Sequence, residues 1–466
     1  MASTRIGSHA LLTMLGDWTA GPGASLQVRL ADSLRQTIET GVLPAGSVLP
    51  AERSLARDLS ISRSTVTAAL SVLKAEGTLE SRQGSGTVVV GPPPPDAPGA
   101  TVLPGILGAR RGIDLAASTP ADARALPVVD VDLEALLRSG PRHGYSPEGL
   151  PALRHAVAER FTVQGLPSTL DEIVITNGAQ HALALALTLL ARPGDSVIVD
   201  DPTYPGMIDL LASRRLTPVP LPRTEGRIDV TGLRRLVAEH DVSIAYLQTG
   251  VHNPTGFAAK DWELNDLAVA CDELGLTVLE DLVLADLRFD GQSTQPLAAR
   301  VTKASVLVVG SISKLGWGGL RIGWLRAPQP LIARLLRARL TEDLGSSVPS
   351  QVIAAGVLTK FDDVVASRQP TLLSRATLAQ DLLAECLPSW KPEQPEGGLS
   401  LWIELPTPSA EALSQQAVRH GVTVATGGSA VVDGDGARYI RLCFDRPESQ
   451  LREGIRRLEE AWQALG

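Results

Sequence analysis

Ser311-Ile312-Ser313-Lys314, followed by Arg321-Ile322-Gly323-Trp324, is the stretch around which the rest of the chain makes sense. It comes directly after Val306-Leu307-Val308-Val309, an apolar, β-branched run that reads as a buried strand ending where the polar residues begin. A lysine at the mouth of a buried strand has a use if its amine forms a Schiff base with a carbonyl cofactor. The two serines would then hydrogen-bond a phosphate, and Arg321 would add a fixed positive charge to it. For S-x-S-K alone, a solvated lysine starting a helix is the ordinary reading. The motifs upstream and downstream overturn it.

From Asp114 onward the chain alternates strand and helix patterns, the rhythm of an α/β domain with a largely parallel sheet. Ile173-Val174-Ile175 leads through Thr176-Asn177-Gly178-Ala179-Gln180 into an apolar helix from His181 to Leu190. A strand, small-residue turn and helix in that order aim backbone N–H groups and a helix dipole at a phosphate. Val197-Ile198-Val199 ends in Asp201-Pro202-Thr203-Tyr204-Pro205, placing an aromatic ring where it can stack on a planar ligand. Ile244-Ala245-Tyr246-Leu247 is followed by His252-Asn253-Pro254-Thr255-Gly256, which offers a side-chain amide in a rigid turn. Val278-Leu279 ends in Glu280-Asp281, a carboxylate that can keep a pyridine nitrogen protonated and make the ring an electron sink. Tyr439-Ile440-Arg441-Leu442-Cys443-Phe444 carries one arginine in an apolar strand, suited to bidentate capture of a carboxylate or to a structural ion pair.

The 466 residues suffice for one large domain and a small one, or for about three domains of roughly 150 residues each. No run of eighteen apolar residues suggests a membrane span, and the N-terminus lacks a signal-peptide pattern. Cys271, Cys386 and Cys443 are odd in number and form no C-x-x-C pair, which argues against a disulfide framework and a zinc site. A reducing cytoplasm is the expected location, with no metal. The net charge of −8 is uneven: residues 1–90 carry a balance of +1 and the remainder −9, compatible with a small DNA-reading domain ahead of an acidic one.

Within that first part, Leu30, Leu34 and Ile38 recur every four residues between Leu26 and Thr40, the pattern of an amphipathic helix stopped by Gly41. Pro50 precedes a short second helix, Ala51 to Leu59. Ser62 can cap a third, with Val66, Ala69, Leu70 and Leu73 on its buried face and Arg63, Ser64 and Thr65 at its N-terminus, where a recognition helix meets base edges and phosphates. Leu79 to Val90 reads as two short strands around a glycine turn, a wing in which Gly84 and Gly86 let the backbone approach a phosphate. Leu11, Leu12, Leu15 and Trp18 suggest one more short amphipathic helix. In residues 91–113, the run Gly91-Pro92-Pro93-Pro94-Pro95 favours an extended spacer of roughly 3 Å per residue between two domains.

Residues 26–90 resemble a GntR-type winged helix-turn-helix domain, through Gly41 to Arg53, Ser62-Arg63-Ser64-Thr65-Val66 and Gly84-Ser85-Gly86-Thr87. The resemblance implies that Arg53, Arg63, Thr65 and Arg82 lie at the DNA. Residues 114–466 resemble a fold-type I aminotransferase, which implies pyridoxal 5'-phosphate held by Lys314 as an internal aldimine, with Asp281 on the ring nitrogen. It further implies Asn253 at the ring hydroxyl, Tyr204 stacked on the ring, and Gly178, Ala179, Gln180, Ser311, Ser313 and Arg321 around the phosphate. Arg441 would receive an amino-acid carboxylate, and Tyr145 would reach the phosphate of a partner subunit.

Together the GntR-type domain (1–90), the linker (91–113) and the aminotransferase-like domain (114–466) resemble the MocR subfamily of bacterial transcription regulators. That resemblance implies a head-to-tail homodimer on operator DNA, sensing pyridoxal phosphate or an amino compound that forms an external aldimine. One position departs from the family pattern. A tyrosine usually follows the aspartate by two or three residues, whereas Asp281 is followed by Leu282, Val283 and Leu284. Without that phenol's hydrogen bond to the ring oxygen, a raised aldimine pKa and weak catalysis are expected. The alternative is a catalytically active aminotransferase with an accessory N-terminal domain.

Overall fold

The computed structural model of the protein describes residues 25–39, 47–75, 78–82, 86–90, 112–120, 126–132, 143–224 and 226–465, with Leu11, Met14, Leu15, Trp18, Leu43 and Glu134 besides. Gly84 and most of the expected linker lie outside the described residues, as does the side chain of Arg82. The chain divides into two compact units, Met1–Ala100 and Thr101–Gly466. Among the described residues no helix is long and apolar enough to cross a membrane.

In the first unit, helices α1 (Leu26–Glu39), α2 (Glu52–Asp58) and α3 (Arg63–Ala75) enclose one apolar core. The residues spaced for a helical stripe, Leu30, Leu34 and Ile38 of α1 and Val66, Leu70 and Leu73 of α3, are all buried in it, together with Leu11 and Leu15. Ser62 begins α3 by accepting the backbone N–H of Thr65 on its hydroxyl at 3.1 Å, which satisfies a donor the helix itself cannot. Strands β1 (Leu79–Arg82) and β2 (Gly86–Val89) pair antiparallel from Leu79 opposite Val89 to Arg82 opposite Gly86. The expected three helices and wing are present.

The larger unit is built on an eight-stranded sheet. Its strands are β4 (Ile173–Thr176), β5 (Ser196–Asp201), β6 (Thr217–Thr224), β7 (Arg227–Ile228), β8 (Ile244–Leu247), β9 (Thr277–Asp281), β10 (Ser305–Ser311) and β11 (Gly323–Arg326), in the order β4-β11-β10-β9-β8-β5-β6-β7. The run from β10 through β9, β8 and β5 to β6 is parallel; β11 lies antiparallel to both β10 and β4. Both faces of the sheet are covered, so each strand alternates between two apolar layers rather than between core and water. Ile198, Ala245, Val278, Val306 and Val308 pack on one side with Val157, Leu233 and Leu267, whereas Val199, Tyr246, Leu279, Leu307 and Val309 pack on the other with Leu183, Met207 and Leu335. That double burial is why these strands read as continuous apolar runs.

A second, smaller sheet follows, from strands β12 (Lys391–Pro392), β13 (Ser400–Glu404), β15 (Ala425–Thr426) and β16 (Tyr439–Cys443), in the order β12-β13-β16-β15. Its core gathers Leu401, Ile440 and Leu442, residues of the long helix Phe361–Cys386 such as Leu372 and Leu383, and Leu115 from the start of the unit. The short strand β3 (Ile113–Asp114) pairs in parallel with β14 (Val422–Thr423) as a separate two-stranded sheet, and Leu115 and Val422 pack in the core of the small sheet.

Candidate functional site

The parallel strands end on one side of the large sheet, and the polar residues following them form one cavity of roughly 660 Å³, part of it open to solvent. Its lining includes Ala179 and Gln180 after β4, Tyr204 after β5, Gln248 and Asn253 after β8, Asp281 at the end of β9, and Ser311, Ser313 and Lys314 at and after β10. Sheet register makes this meeting unavoidable: Val309 lies opposite Asp281, and Ser311 opposite Gly323, two residues past Arg321. Ligand binding at the carboxyl ends of parallel strands is the general rule for open α/β sheets.

One end of the cavity is made for an anion. Gly178, at φ +84°, precedes the helix Ala179–Leu190 with no side-chain cap, leaving backbone N–H groups of the first turn directed outward. A Cβ at Gly178 would lie 3.0 Å from the Arg321 guanidinium, and one at Gly323 only 2.6 Å from the Gly178 carbonyl carbon, so the two glycines let β11 and the helix start close up around that guanidinium. Arg321 itself sits at φ +53°, a left-handed conformation costly for a residue with a Cβ, and donates to the Asn177 carbonyl at 2.7 Å. The Ser311 hydroxyl lies 2.9 Å from that of Ser313 and accepts the Ser313 backbone N–H at 3.1 Å.

Toward the other end, Lys314 and Asp281 both line the cavity wall. Burial, reinforced by the positive charge of Arg441, lowers the Lys314 amine from its ordinary 10.5 to about 8. It donates to the Ser118 carbonyl at 2.6 Å. Burial raises the Asp281 carboxyl, opposed by the Tyr246 phenol, which donates to Asp281 Oδ2 at 2.7 Å, and by the Val283 N–H on Oδ1 at 2.9 Å. Burial, with Asp281 nearby, pushes the Tyr204 phenol up to about 12, so it stays neutral.

A chain of buried polar contacts leads inward from Asn253. The Gln248 side-chain amide brackets the backbone of Asn253, accepting its N–H and donating to its carbonyl, each at 3.0 Å. Gln248 is held in turn by its own N–H on Asp200 Oδ2 at 2.9 Å and by Arg223 on its carbonyl at 2.8 Å, while Arg223 and Asp200 pair at 3.0 Å. On the other side, Arg441 donates to Asn253 Oδ1 at 3.1 Å and to the Ala116 carbonyl at 3.0 Å.

Pyridoxal phosphate fits these groups. The glycine-lined helix start with Ser311, Ser313 and Arg321 suits its phosphate, and the buried Asp281 suits a protonated ring nitrogen. Gln180 Oε1 and Arg441 Nε are buried without a hydrogen-bond partner, polar atoms that a polar ligand can satisfy. Arg441 is 4% exposed and adjoins the lining residue Asn253. Tyr145 is not brought to the cavity: it is 53% exposed and stacks on His143 at 5.6 Å. Val283 and Leu284 line the wall just past Asp281, where the family tyrosine is expected. Sequence reasoning missed Ser118, Gln248 and Tyr246. For Tyr246 a signal existed, since a phenol inside an apolar strand needs a buried partner.

In the first unit, Arg53, Ser62, Arg63 and Ser64 are exposed, Thr65 is half-buried, and the hydroxyls of Ser62 and Ser64 lie 2.7 Å apart. Gly86, at φ +93°, opens β2 opposite Arg82.

Residues 110–458 match the family model for aminotransferase class I and II, and residues 26–89 match that for bacterial regulatory proteins of the gntR family. An uncharacterized HTH-type transcriptional regulator, YdcR of Escherichia coli (strain K12), is 30% identical over 442 residues, covering 89% of this chain and 94% of that protein. Aromatic-amino-acid aminotransferase 1 of Thermococcus litoralis is 28% identical over 341 residues, 70% of this chain and 79% of that one. The crystal structure of LysN, an α-aminoadipate aminotransferase from Thermus thermophilus complexed with N-(5'-phosphopyridoxyl)-L-leucine, superposes with a TM-score of 0.70 at 26% identity, over 78% of this chain and 95% of that one. The chain belongs to the class I and II aminotransferase family, joined to a gntR-family module in the MocR-type architecture of transcription regulators.

Proposed function

We propose that this chain is a DNA-binding transcription regulator that depends on pyridoxal phosphate and senses pyridoxal phosphate, an amino compound or both. Residues 1–90 read operator DNA, 91–113 tether them, and 114–466 hold the ligands, in a head-to-tail cytoplasmic homodimer. The observation that carries this reading is the convergence of Lys314, Asp281 and Asn253 on one cavity, with Arg441 bonded to Asn253, in a chain whose other unit exposes Arg53 on α2 and Arg63 at the capped start of α3.

Bound there, pyridoxal phosphate supplies a carbonyl for which Lys314 and an incoming amine compete. Lys314 provides the amine, neutral above about pH 8 because of its burial. Asp281 holds the proton on the ring nitrogen, with Tyr246 favouring its ionised form. Asn253 would meet the ring hydroxyl, Tyr204 would stack on the ring, and Gly178, Ala179, Gln180, Ser311, Ser313 and Arg321 would take the phosphate, joined by Tyr145 from the second copy. Arg441 binds the carboxylate of the amino compound. Gene control follows if that compound binds one arrangement of the domains better than another. An active aminotransferase is the second reading, favoured by the complete set of Lys314, Asp281 and Arg441. Val283 and Leu284 in place of the phenol weigh against efficient turnover.

The test uses the full-length chain, pyridoxal phosphate and DNA duplexes selected from a random pool. A visible band should form, be trapped by borohydride on Lys314, and be absent in Lys314→Ala, whose DNA affinity should no longer respond to pyridoxal phosphate or amino acids. Burial lowers the amine pKa, so the rate of attachment should rise about tenfold per pH unit up to about pH 8 and flatten above it. An unchanged DNA response in Lys314→Ala would end the regulator scheme, and brisk amino-acid turnover would favour the enzyme.

A further inference from the structure

From Gly112, where the chain arrives from the proline-rich stretch, residues 113–119 run directly into the pocket. Every backbone carbonyl of this strap from Asp114 to Thr119 is engaged. Arg446 donates to those of Asp114 at 2.6 Å, Ala117 at 2.6 Å and Thr119 at 2.9 Å. The Cys443 N–H donates to that of Leu115 at 2.7 Å, Arg441 to that of Ala116 at 3.0 Å, and Lys314 to that of Ser118 at 2.6 Å. The strap also braces itself, since Asp114 Oδ1 accepts the N–H groups of Ala116 at 2.8 Å and Ala117 at 3.0 Å.

These ties are of two kinds. Arg446 and Cys443 lie outside the cavity lining, and the neighbouring Asp445 is clamped by Arg368 at 2.6 Å and by Arg375, so the anchor is firm. Lys314 and Arg441 are the two cations to which the proposed function gives ligand-binding work. Leu115 packs in the core of the small sheet, whereas Lys314 follows β10 of the large one, so the Lys314 bond joins the strap to a different layer from its anchor.

We propose that the 113–119 strap reports the state of the pocket to the tether, because two of its backbone acceptors are held by the ligand-binding cations. The idea rests on the reading of Lys314 and Arg441 given above. Condensation of the neutral Lys314 amine with a carbonyl forms a carbon–nitrogen double bond and releases water, leaving the nitrogen at most one hydrogen. The Ser118 carbonyl then has at most that one hydrogen to draw on, for which the cofactor's own ring oxygen competes, so its bond to Lys314 weakens. A carboxylate on Arg441 competes in the same way with Ala116. The strap relaxes at the end nearest the pocket while Arg446 keeps its base, and the change falls on the segment that leads back through Gly112 to the tether.

Hydrogen exchange of the full-length chain, read on peptides covering 113–119 with and without pyridoxal phosphate, tests this. Loading should quicken exchange there roughly threefold, the scale of one lost hydrogen bond, while the helix Glu448–Gln463 stays unchanged. Tryptic cleavage after Arg111 should quicken in parallel. Lys314→Ala should exchange fast from the outset and ignore added pyridoxal phosphate. A wild-type chain that forms its visible band with no change in the strap overturns this proposal alone, as does a Lys314→Ala strap that still responds. A wild-type chain that forms no band overturns the proposed function and this coupling with it.

Discussion

At the start of α3 the side chains offered to DNA stand in solvent, with Ser62, Arg63 and Ser64 exposed and Ser62 anchored to its own first turn. In the pocket the reverse holds. Asp281 is fixed by Tyr246 and Val283, Asn253 by Gln248 and Arg441, and Gln248 by Asp200 and Arg223. Exposed groups act nearly independently through screened charge, whereas buried polar groups act as a network in which every unpaired member is costly. Residues that touch no ligand should therefore matter greatly in the pocket unit and little in the reading head.

The largest expected effect is at the far end of the network. Arg223 and Asp200 form a pair with side chains 2% and 0% exposed, so Arg223→Ala leaves the carboxylate buried without its cation and the Gln248 carbonyl without its donor. A loss of about 3–5 kcal/mol is expected for breaking such a pair from one side. Denaturant unfolding should show it in the transition of the pocket unit. A loss below about 1 kcal/mol, the value of an exposed pair, would break the contrast with the reading head.

Next comes Tyr246→Phe, which keeps the ring and removes one donor. Burial raises the Asp281 carboxyl and the phenol's hydrogen bond lowers it, so the substitution moves it further up. Asp281 must be ionised to hold a ring proton, and cofactor binding is lost as pH falls through its pKa. The variant should lose binding at a higher pH than the wild type and bind about tenfold more weakly near neutrality. Dissociation constants measured across pH decide it; equal acid limbs would show that Tyr246 only fills space.

How far the site could be read from sequence depends on what kind of group does the work. Lys314, Asp281 and Asn253 stand out because each is a polar residue where an apolar strand stops, and parallel topology brings such stops together. Tyr246 hides in an apolar strand because its ring belongs to the core and only its oxygen to the site. Gln248 acts on the backbone of Asn253, a contact with no sequence pattern. Ser118 contributes a carbonyl, which every residue possesses, so only the fold could reveal it. The fold itself was more legible: the helical stripes of α1 and α3 and the strand-helix rhythm from Asp114 both depend on burial, which hydrophobic periodicity records directly.

The smallest effects, in the reading head, set the other side of the comparison. Ser62→Ala removes the acceptor for the Thr65 N–H and should lower the stability of the first unit by about 1 kcal/mol, the ordinary value of a helix cap. Arg63→Ala should leave the unfolding midpoint unchanged, because the side chain is exposed, and instead weaken DNA binding. If Arg63 neutralises one phosphate, the slope of log affinity against log salt should shallow by about 1, with the loss nearly uniform across DNA sequences. If it reads a base edge, the slope should hold and selectivity at one position should relax, at about 1–3 kcal/mol per mismatch. Titrating selected and scrambled duplexes at several salt concentrations separates the two. A shift in the unfolding midpoint of the first unit would instead mean that its surface charges are interlocked as they are in the pocket, and the two ways of holding functional groups would be one.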